Sequence, residues 1–384
     1  MALPISSPSP KVDRFQQAME SVYGRFWNIR DPETWSPPQR SGGHRGRYLW
    51  TDAFGVVNLL TMHKEYTIAG GGCEDTRYLS LARRLIETVH DVLGRTRDGR
   101  SRLPGATDSH PLGGGLRIGK TDAHGPDCDG QYHHYLTIWM FALNRMAMAS
   151  GDMDYNRQAV ELARAIHPKF FVDRSAARPR MIWKMATDLS APLVTSEGNL
   201  DPIDGFVVFR LLQATALEAG DGEVLTEEIG DYRRVMDRKG EHFVSSDPLD
   251  LGMTLWTAHW FSDRETWASN LATRCFEHIY NLFEIDQYLS RNIKFRLAFR
   301  EFGTSLGLQC QAVQTTEKEL AVDLKNWADS IIAAWDPYLE LSISEDLTPE
   351  DMRPITRVMY SSALIPGAFC AGYLGPEPEP MAQR

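Results

Sequence analysis

An all-α ring of helical hairpins, an (α/α)6 toroid, is the fold that this sequence of 384 residues predicts. Two observations carry the prediction. Repeatedly along the chain, a helix almost free of charge is followed, usually through a short turn, by a polar amphipathic one. The connections back to the next apolar helix are long. A helix apolar on every side must be buried all round, whereas a single apolar stripe marks a helix half in water. Each pair therefore reads as one spoke of a wheel, with a buried inner helix and a half-wet outer one. No stretch shows the sustained alternation that a sheet requires, although short strands are allowed around Ile182 or Val194.

Taken in order, Val12 to Trp27 is an outer helix whose partner comes from the far end of the chain. Tyr48 to Met62 is buried, answered by Tyr78, Leu81, Leu85, Val89 and Val92, with Gly94 as the closing C′ glycine. The clearest unit runs from Gln131 to Pro168. Tyr132, Leu136, Ile138, Trp139, Met140 and Phe141 face every direction, Ser150-Gly151-Asp152 turns the chain, and Tyr155, Ala159, Leu162, Ala163 and Ile166 form one stripe. Phe206 to Leu217 is answered by Val224 to Val235, and Leu251 to Phe261 by Trp267, Leu271, Cys275 and Ile279. Phe295 to Cys310 is a weaker fifth, answered by Leu320 to Trp335. Val358 to Tyr373 pairs with the N-terminal helix and closes the circle.

Inner-to-outer turns are short, but Arg95 to Gly130 and Lys169 to Asp201 are long. Long loops in a compact domain are usually functional. These emerge where the inner helices begin and their positive dipole ends gather, so a site is expected on that face. One domain, 12–373, is expected, with a loose segment 1–11 and a disordered Pro-rich tail 374–384. The net charge of −10 argues against nucleic acid or an anionic membrane as partner. Five scattered cysteines suit a reducing compartment. With neither a signal-peptide pattern nor a membrane-length apolar run, a cytoplasmic location is expected.

Gly114 to Thr121 satisfies the P-loop pattern letter for letter, yet neither flank is the strand or helix that phosphate cradling requires. It reads instead as a glycine-rich loop over the pocket, with Arg117 and Lys120 as anion or hydroxyl contacts, or as a tight surface turn. His110, His124, His133, His134, Cys128 and Asp129 fit no standard zinc spacing, so no metal or other cofactor is expected. Adjacent His133 and His134 point to different sides of a helix, so one lines the cavity and the other packs in the core. Asp201-Pro-Ile-Asp204 and Asp247-Pro-Leu-Asp250 repeat one form, an N-cap followed by proline and a third-position acid. Capping is the first explanation, with Asp204 kept as a candidate because Gly205 allows close approach. Asp52 and Asp129 fit caps less well, and a buried carboxyl facing a cavity can act as an acid. Trp50 and Trp183, nearest the loop boundaries, are the preferred sugar-stacking platforms. Glu301, beside Arg300 at an inner-helix start, is either a bracing ion pair or a substrate contact.

With these residues in view, the sequence resembles the six-hairpin (α/α)6-barrel superfamily, which includes glycosidases, unsaturated glucuronyl hydrolases and sugar 2-epimerases. The likeness covers about residues 12–373. Gly46-Arg-Tyr-Leu-Trp-Thr-Asp-Ala-Phe, Gly115-Leu-Arg-Ile-Gly-Lys, Asp129-Gly-Gln-Tyr-His-His-Tyr-Leu-Thr and Trp183-Lys-Met-Ala-Thr-Asp are similar to those of microbial barrel proteins of unassigned activity. The resemblance implies a fold that hosts many chemistries, with carboxylates or histidines in a funnel at the inner-helix starts.

The expected function is an intracellular carbohydrate-active enzyme acting on a small-molecule sugar, first of all a glycoside hydrolase. Asp129 is the expected general acid and Asp52 the base, with His133, His134 and Arg117 holding hydroxyls or a uronate. One alternative is a sugar epimerase or isomerase using His134 or His259 as base. Another is an isoprenoid cyclase protonating through Asp127 and Asp129 within an aromatic wall. A non-catalytic binding scaffold is the third, and it predicts that every acid is paired off.

Overall fold

The computed structural model describes residues 9–44, 46–70, 76–239, 243, 245–339 and 348–379. Helix α1 (Pro10–Tyr23) begins at a local signal: Ser9 Oγ accepts from Val12 N at 3.4 Å, and Pro10 takes the first helical position. The inner helices are α2 (Leu49–Ala69), α4 (His133–Ser150), α6 (Asp201–Glu218), α8 (Pro248–Ala258), α10 (Ala298–Gln314) and α12 (Arg353–Leu364). Their outer partners are α3 (Arg77–Leu93), α5 (Asp154–Phe170), α7 (Thr226–Lys239), α9 (Thr266–Tyr280), α11 (Lys318–Trp335) and, for α12, the N-terminal α1. Each inner helix packs on the next, and α12 packs on α2, which closes the ring. Helix α6 shows why the inner set reads so clearly: from Asp201 to Ala216 every residue is buried.

The tightest seam lies between α8 and α10. A Cβ on Gly252 would sit 2.3 Å from the carbonyl oxygen of Gly303, so the two backbones touch without intervening side chains. Four short strands stiffen the long loops. Gln131–Tyr132 pairs antiparallel with Lys184–Met185, setting Tyr132 opposite Lys184, and Phe171–Val172 pairs with Arg180–Met181. These strands flank Ile182, while Val194 lies in irregular chain.

Three expectations need correction. Helix α12 ends at Leu364 and does not continue to Tyr373. Pro366 ends the helical hydrogen bonding, and Gly367 at φ 51 turns the chain inward. A single 3-10 turn, Gly367–Phe369, then drives Phe369 into the ring axis against Phe54 (4.7 Å), Phe141 (6.0 Å) and Trp256 (6.1 Å between centroids). The segment after Tyr373 is not loose as far as it is described. Arg145, 1% exposed, needs a counter-charge, and Glu377 supplies it at 2.7 and 2.9 Å. At the other end, Pro10 and Lys11 already belong to α1.

Candidate active site

The mouth of the ring is built at the inner-helix starts. On α2, Trp50 is buried, stacks on Phe54 at 5.5 Å and directs its indole N–H to Met359 Sδ at 3.5 Å. Just before α2, Tyr48 brings its hydroxyl within 2.5 Å of that of Tyr135 on α4. Tyr135 meets the rings of Trp50 (5.1 Å), Tyr132 (5.2 Å) and His134 (4.5 Å). Burial pushes the Tyr135 hydroxyl up to about 12, so it is neutral here, against opposing contributions from Tyr48 and Arg300. Trp183 adds its ring edge-on to Tyr132 at 5.1 Å, with its N–H on Ser196 Oγ at 3.0 Å.

The adjacent histidines divide as helix geometry demands. His133 is fully buried and points outward, its Nε2 2.6 Å from the Tyr232 hydroxyl. Burial, opposed by Asp201, lowers its pKa to about 4. His134 faces the axis, edge-on to Trp50 at 5.4 Å, and its side chain keeps 20% exposure. Asp201 serves both. Its Oδ1 accepts the His134 backbone N–H at 3.2 Å and lies 3.5 Å from His133 Nδ1 and 3.8 Å from His134 Nδ1. Burial alone would raise this carboxyl, but the histidines outweigh it and hold Asp201 below the ordinary carboxylate range.

Asp204, one turn further along α6, has the opposite environment. It is 3% exposed, and its Oδ1 has no hydrogen-bond donor among the described residues. Burial, then the negative charges of Asp201 and Asp250, push its pKa well above the ordinary value. Asp250, on α8, is better solvated and accepts from Asn199 Nδ2 at 2.9 Å and Ser245 Oγ at 3.0 Å. A carboxyl held well above the ordinary range thus sits beside a histidine-bound one held below it, the kind of divergence that separates acid from base in active sites.

Several sequence candidates lie elsewhere. Asp52 does not face the mouth: it is fully buried, accepts from the Tyr23 hydroxyl of α1 at 2.9 Å and lies 3.6 Å from Arg47 Nε. Asp129 is closed on all sides. Its Oδ2 takes Arg117 at 2.7 Å and Arg97 at 2.9 Å, and its Oδ1 takes the backbone N–H groups of Gly119 and Gly130, both at 3.0 Å. Arg117 is itself used up, donating also to Arg95 O and Val92 O. Glu301 is a bracing residue, bound by Arg296 (2.8 Å to Oε1) and the Trp335 N–H (2.8 Å). His259 caps the opposite end of α8, bonded to Trp256 O and accepting Ala371 N–H at 3.0 Å. Burial lowers it to about 4. Lys120 remains near the mouth, paired with Asp127 and 5.8 Å from the Tyr132 ring centre.

The glycine-rich stretch is a strap below the mouth and not a phosphate loop. Leu116 and Ile118 are fully buried, and Gln131 holds Leu116 N and Gly114 O. The two Asp-Pro-x-Asp repeats part company: Asp247 caps its own helix at Leu249 N (2.8 Å), whereas Asp201 reaches across to α4. Sequence reasoning passed over Tyr48 and Tyr135 and took Asp201 for a cap. Only the tyrosine directly before an inner helix offered a signal. Among the described residues, no group of three or more His, Cys, Asp or Glu side chains converges as a metal site.

No protein-family model matches this sequence, and no curated protein matches it either. Solved structures do. An α-1,6-mannanase of glycoside hydrolase family 76 from Salegentibacter sp. HEL1_6 superposes with a TM-score of 0.58 at 12% identity, covering 92% of this chain and 97% of that one. A family 76 mannosidase from Bacteroides thetaiotaomicron VPI-5482 gives 0.54 at 12% identity, covering 93% and 99%. A sugar epimerase from a ruminal bacterium gives 0.51 at 10% identity, covering 94% and 98%. The chain therefore has the (α/α)6-barrel fold seen in these structures. The mannanase was also solved with α-1,6-mannotriose as an inactive variant in which two consecutive aspartates are replaced by asparagine. This sequence contains no two consecutive aspartates.

Proposed function

We propose that this protein is a carbohydrate-active enzyme working by proton transfer at the mouth of the barrel, as a sugar epimerase or isomerase. Asp204 is the acid, and His134, oriented by Asp201, is the base. The observation that carries the reading is Asp204, a buried carboxyl raised well above its ordinary range with an oxygen that no described donor reaches. Asp52, Asp129 and Glu301, by contrast, are held by arginines. Asp204 lies one helical turn from Asp201, the carboxylate that holds the axis-facing His134, and an acid and a base so linked suit removal of a proton next to a carbonyl and its return to the other face. The fold shared with a sugar epimerase is consistent with this.

The scaffold reading predicts that all acids are satisfied, but among the described residues Asp204 Oδ1 has neither a hydrogen-bond donor nor an arginine, whereas Asp52 Oδ2, also without a donor, at least faces Arg47 at 3.6 Å. An isoprenoid needs a deep apolar chamber, but Phe54, Phe141, Trp256 and Phe369 fill the axis with at most 1% exposure. Hydrolysis is the second reading, favoured by the influence of Asp250 on Asp204. There Asp204 would protonate the leaving oxygen and Asp250 would activate water.

The test is incubation of the chain with a panel of aldoses and ketoses in D2O, followed by NMR. Epimerisation or isomerisation places solvent deuterium on carbon, and both Asp204→Asn and His134→Gln should stop it. Release of reducing ends from glycosides without deuterium on carbon would install the hydrolase reading. An unchanged rate in Asp204→Asn would overturn both.

A further inference from the structure

We infer that the site takes a negatively charged sugar, a sugar acid or a sugar phosphate, and that Lys184 and Lys120 bind its anionic group. The inference rests on the reading of the mouth as a sugar site and adds the substrate's charge. Lys184 is 1% exposed, and its only acceptor among the described residues is the carbonyl of Pro126 at 3.0 Å. No described carboxylate pairs with it. A buried ammonium normally demands a counter-charge because its desolvation is costly, and it has three N–H groups to satisfy.

The second cation stands beside it. Lys184 Nζ lies 5.0 Å and Lys120 Nζ 5.8 Å from the centre of the Tyr132 ring, so both ammonium groups gather at one aromatic residue. The strand pairing that sets Tyr132 opposite Lys184 builds this arrangement into the backbone. Burial and the like charge of Lys184 hold Lys120 below its ordinary range, the effect of two cations sharing too little negative charge. Among the described residues Lys120 pairs with Asp127, whose side chain is 77% exposed. Asp122 and Asp351 also act on Lys120 from nearby, so an incoming anion competes with carboxylates for Lys120 and with a lone carbonyl for Lys184. Tyr132 touches the reacting end of the site as well: its ring centre is 6.4 Å from that of His134 and 5.2 Å from that of Tyr135. A sugar stacked at this aromatic corner can present one end to His134 and an anionic substituent to the lysines. One carboxylate or phosphate supplies the oxygens that two ammonium groups need.

The test is calorimetric titration of the full chain, in the Asp204→Asn background to prevent turnover, with glucose, glucuronate, glucose 6-phosphate and inorganic phosphate. At least one of the two anionic sugars should bind ten-fold or more tightly than glucose, and which one does so distinguishes carboxylate from phosphate. Lys184→Met should erase the preference of the anionic sugar over glucose. Lys184→Arg should keep it, a control for folding, and Lys120→Met should weaken it in part. Glucose binding as tightly as both anionic sugars, no response to any anion, or a preference that survives Lys184→Met would each overturn the inference. Because binding is read without turnover, such a failure leaves the roles of Asp204 and His134 to be judged by the deuterium experiment.

Discussion

The indole N–H of Trp256 meets the carbonyl oxygen of Phe369 at 3.1 Å and pins the C-terminal turn inside the ring. Phe369 is fully buried among Phe54, Phe141 and Trp256, so the axis below the mouth is a packed core and not a channel. Phe369→Ala should cost about 3–5 kcal/mol, the usual range for emptying a buried phenylalanine site. Urea unfolding measures this directly. A loss below about 1 kcal/mol would mean that the turn does not plug the ring.

Asp129 should behave as a structural residue. Removing its carboxylate strands Arg117, whose side chain is 9% exposed, together with the inner end of Arg97. Breaking a buried pair in this way typically costs about 3–5 kcal/mol. Asp129→Ala is therefore expected to lose stability by about that amount, with any activity lost in step with folding. A variant that folds normally but turns over no substrate would return Asp129 to the chemistry.

The hairpin order was legible because an all-round apolar helix and a striped one differ in sequence before any tertiary contact exists. The end of α12 was hidden behind an apolar run: Ile365, Ala368 and Phe369 read as more helix, and only Pro366 and Gly367 marked the break. The face at the inner-helix starts was legible as a candidate, and there the structure gathers Trp50, Tyr135 and His134, but the partners of its acids were not legible. Asp52 and Asp129 look free in sequence because their partners Tyr23, Arg47, Arg97 and Arg117 arrive from other segments. Asp201 and Asp247 share one local form, yet Asp201 finds a partner 67 residues away, at His134. Short-range rules describe what a residue can do for its own helix, whereas the partners of these acids come from other segments.

Cys310 on α10 and Cys370, just after the plug turn, bring their sulfurs to 3.3 Å. Burial, then Cys370, pushes the Cys310 thiol well above its ordinary range, so the less buried Cys370 is the expected point of attack. Treatment with oxidised glutathione should transfer two electrons and two protons from the pair, giving one internal disulfide and two reduced glutathiones. The five thiols counted in denaturant should fall to three, and Cys310→Ser should block the change. The bond spans 60 residues and should add on the order of 2–4 kcal/mol. A different pairing found by peptide mapping would contradict this.

Acid should unfold the protein from a higher pH than carboxylates alone would set. Burial lowers His90, His133, His167 and His259 to about 4 each, against about 6.5 in an unfolded chain. Between these values the unfolded state binds protons that the folded state refuses. Stability therefore rises with pH across this window and is lost as pH falls from about 6.5 towards 4. Asp204 and Asp52 act in the opposite sense. Their raised values let the folded state keep protons, a contribution present at low pH and lost as pH rises through the folded value. Each histidine proton taken up on unfolding contributes about 1.4 kcal/mol per pH unit, and the four histidines give stability a positive slope with pH that Asp204 and Asp52 reduce. Urea titrations between pH 5 and 6.5 should show this slope. His90→Gln should reduce it by about one proton while still accepting the Trp139 N–H that His90 receives at 3.1 Å. A flat profile across the window would mean that these histidines are not held neutral in the folded protein.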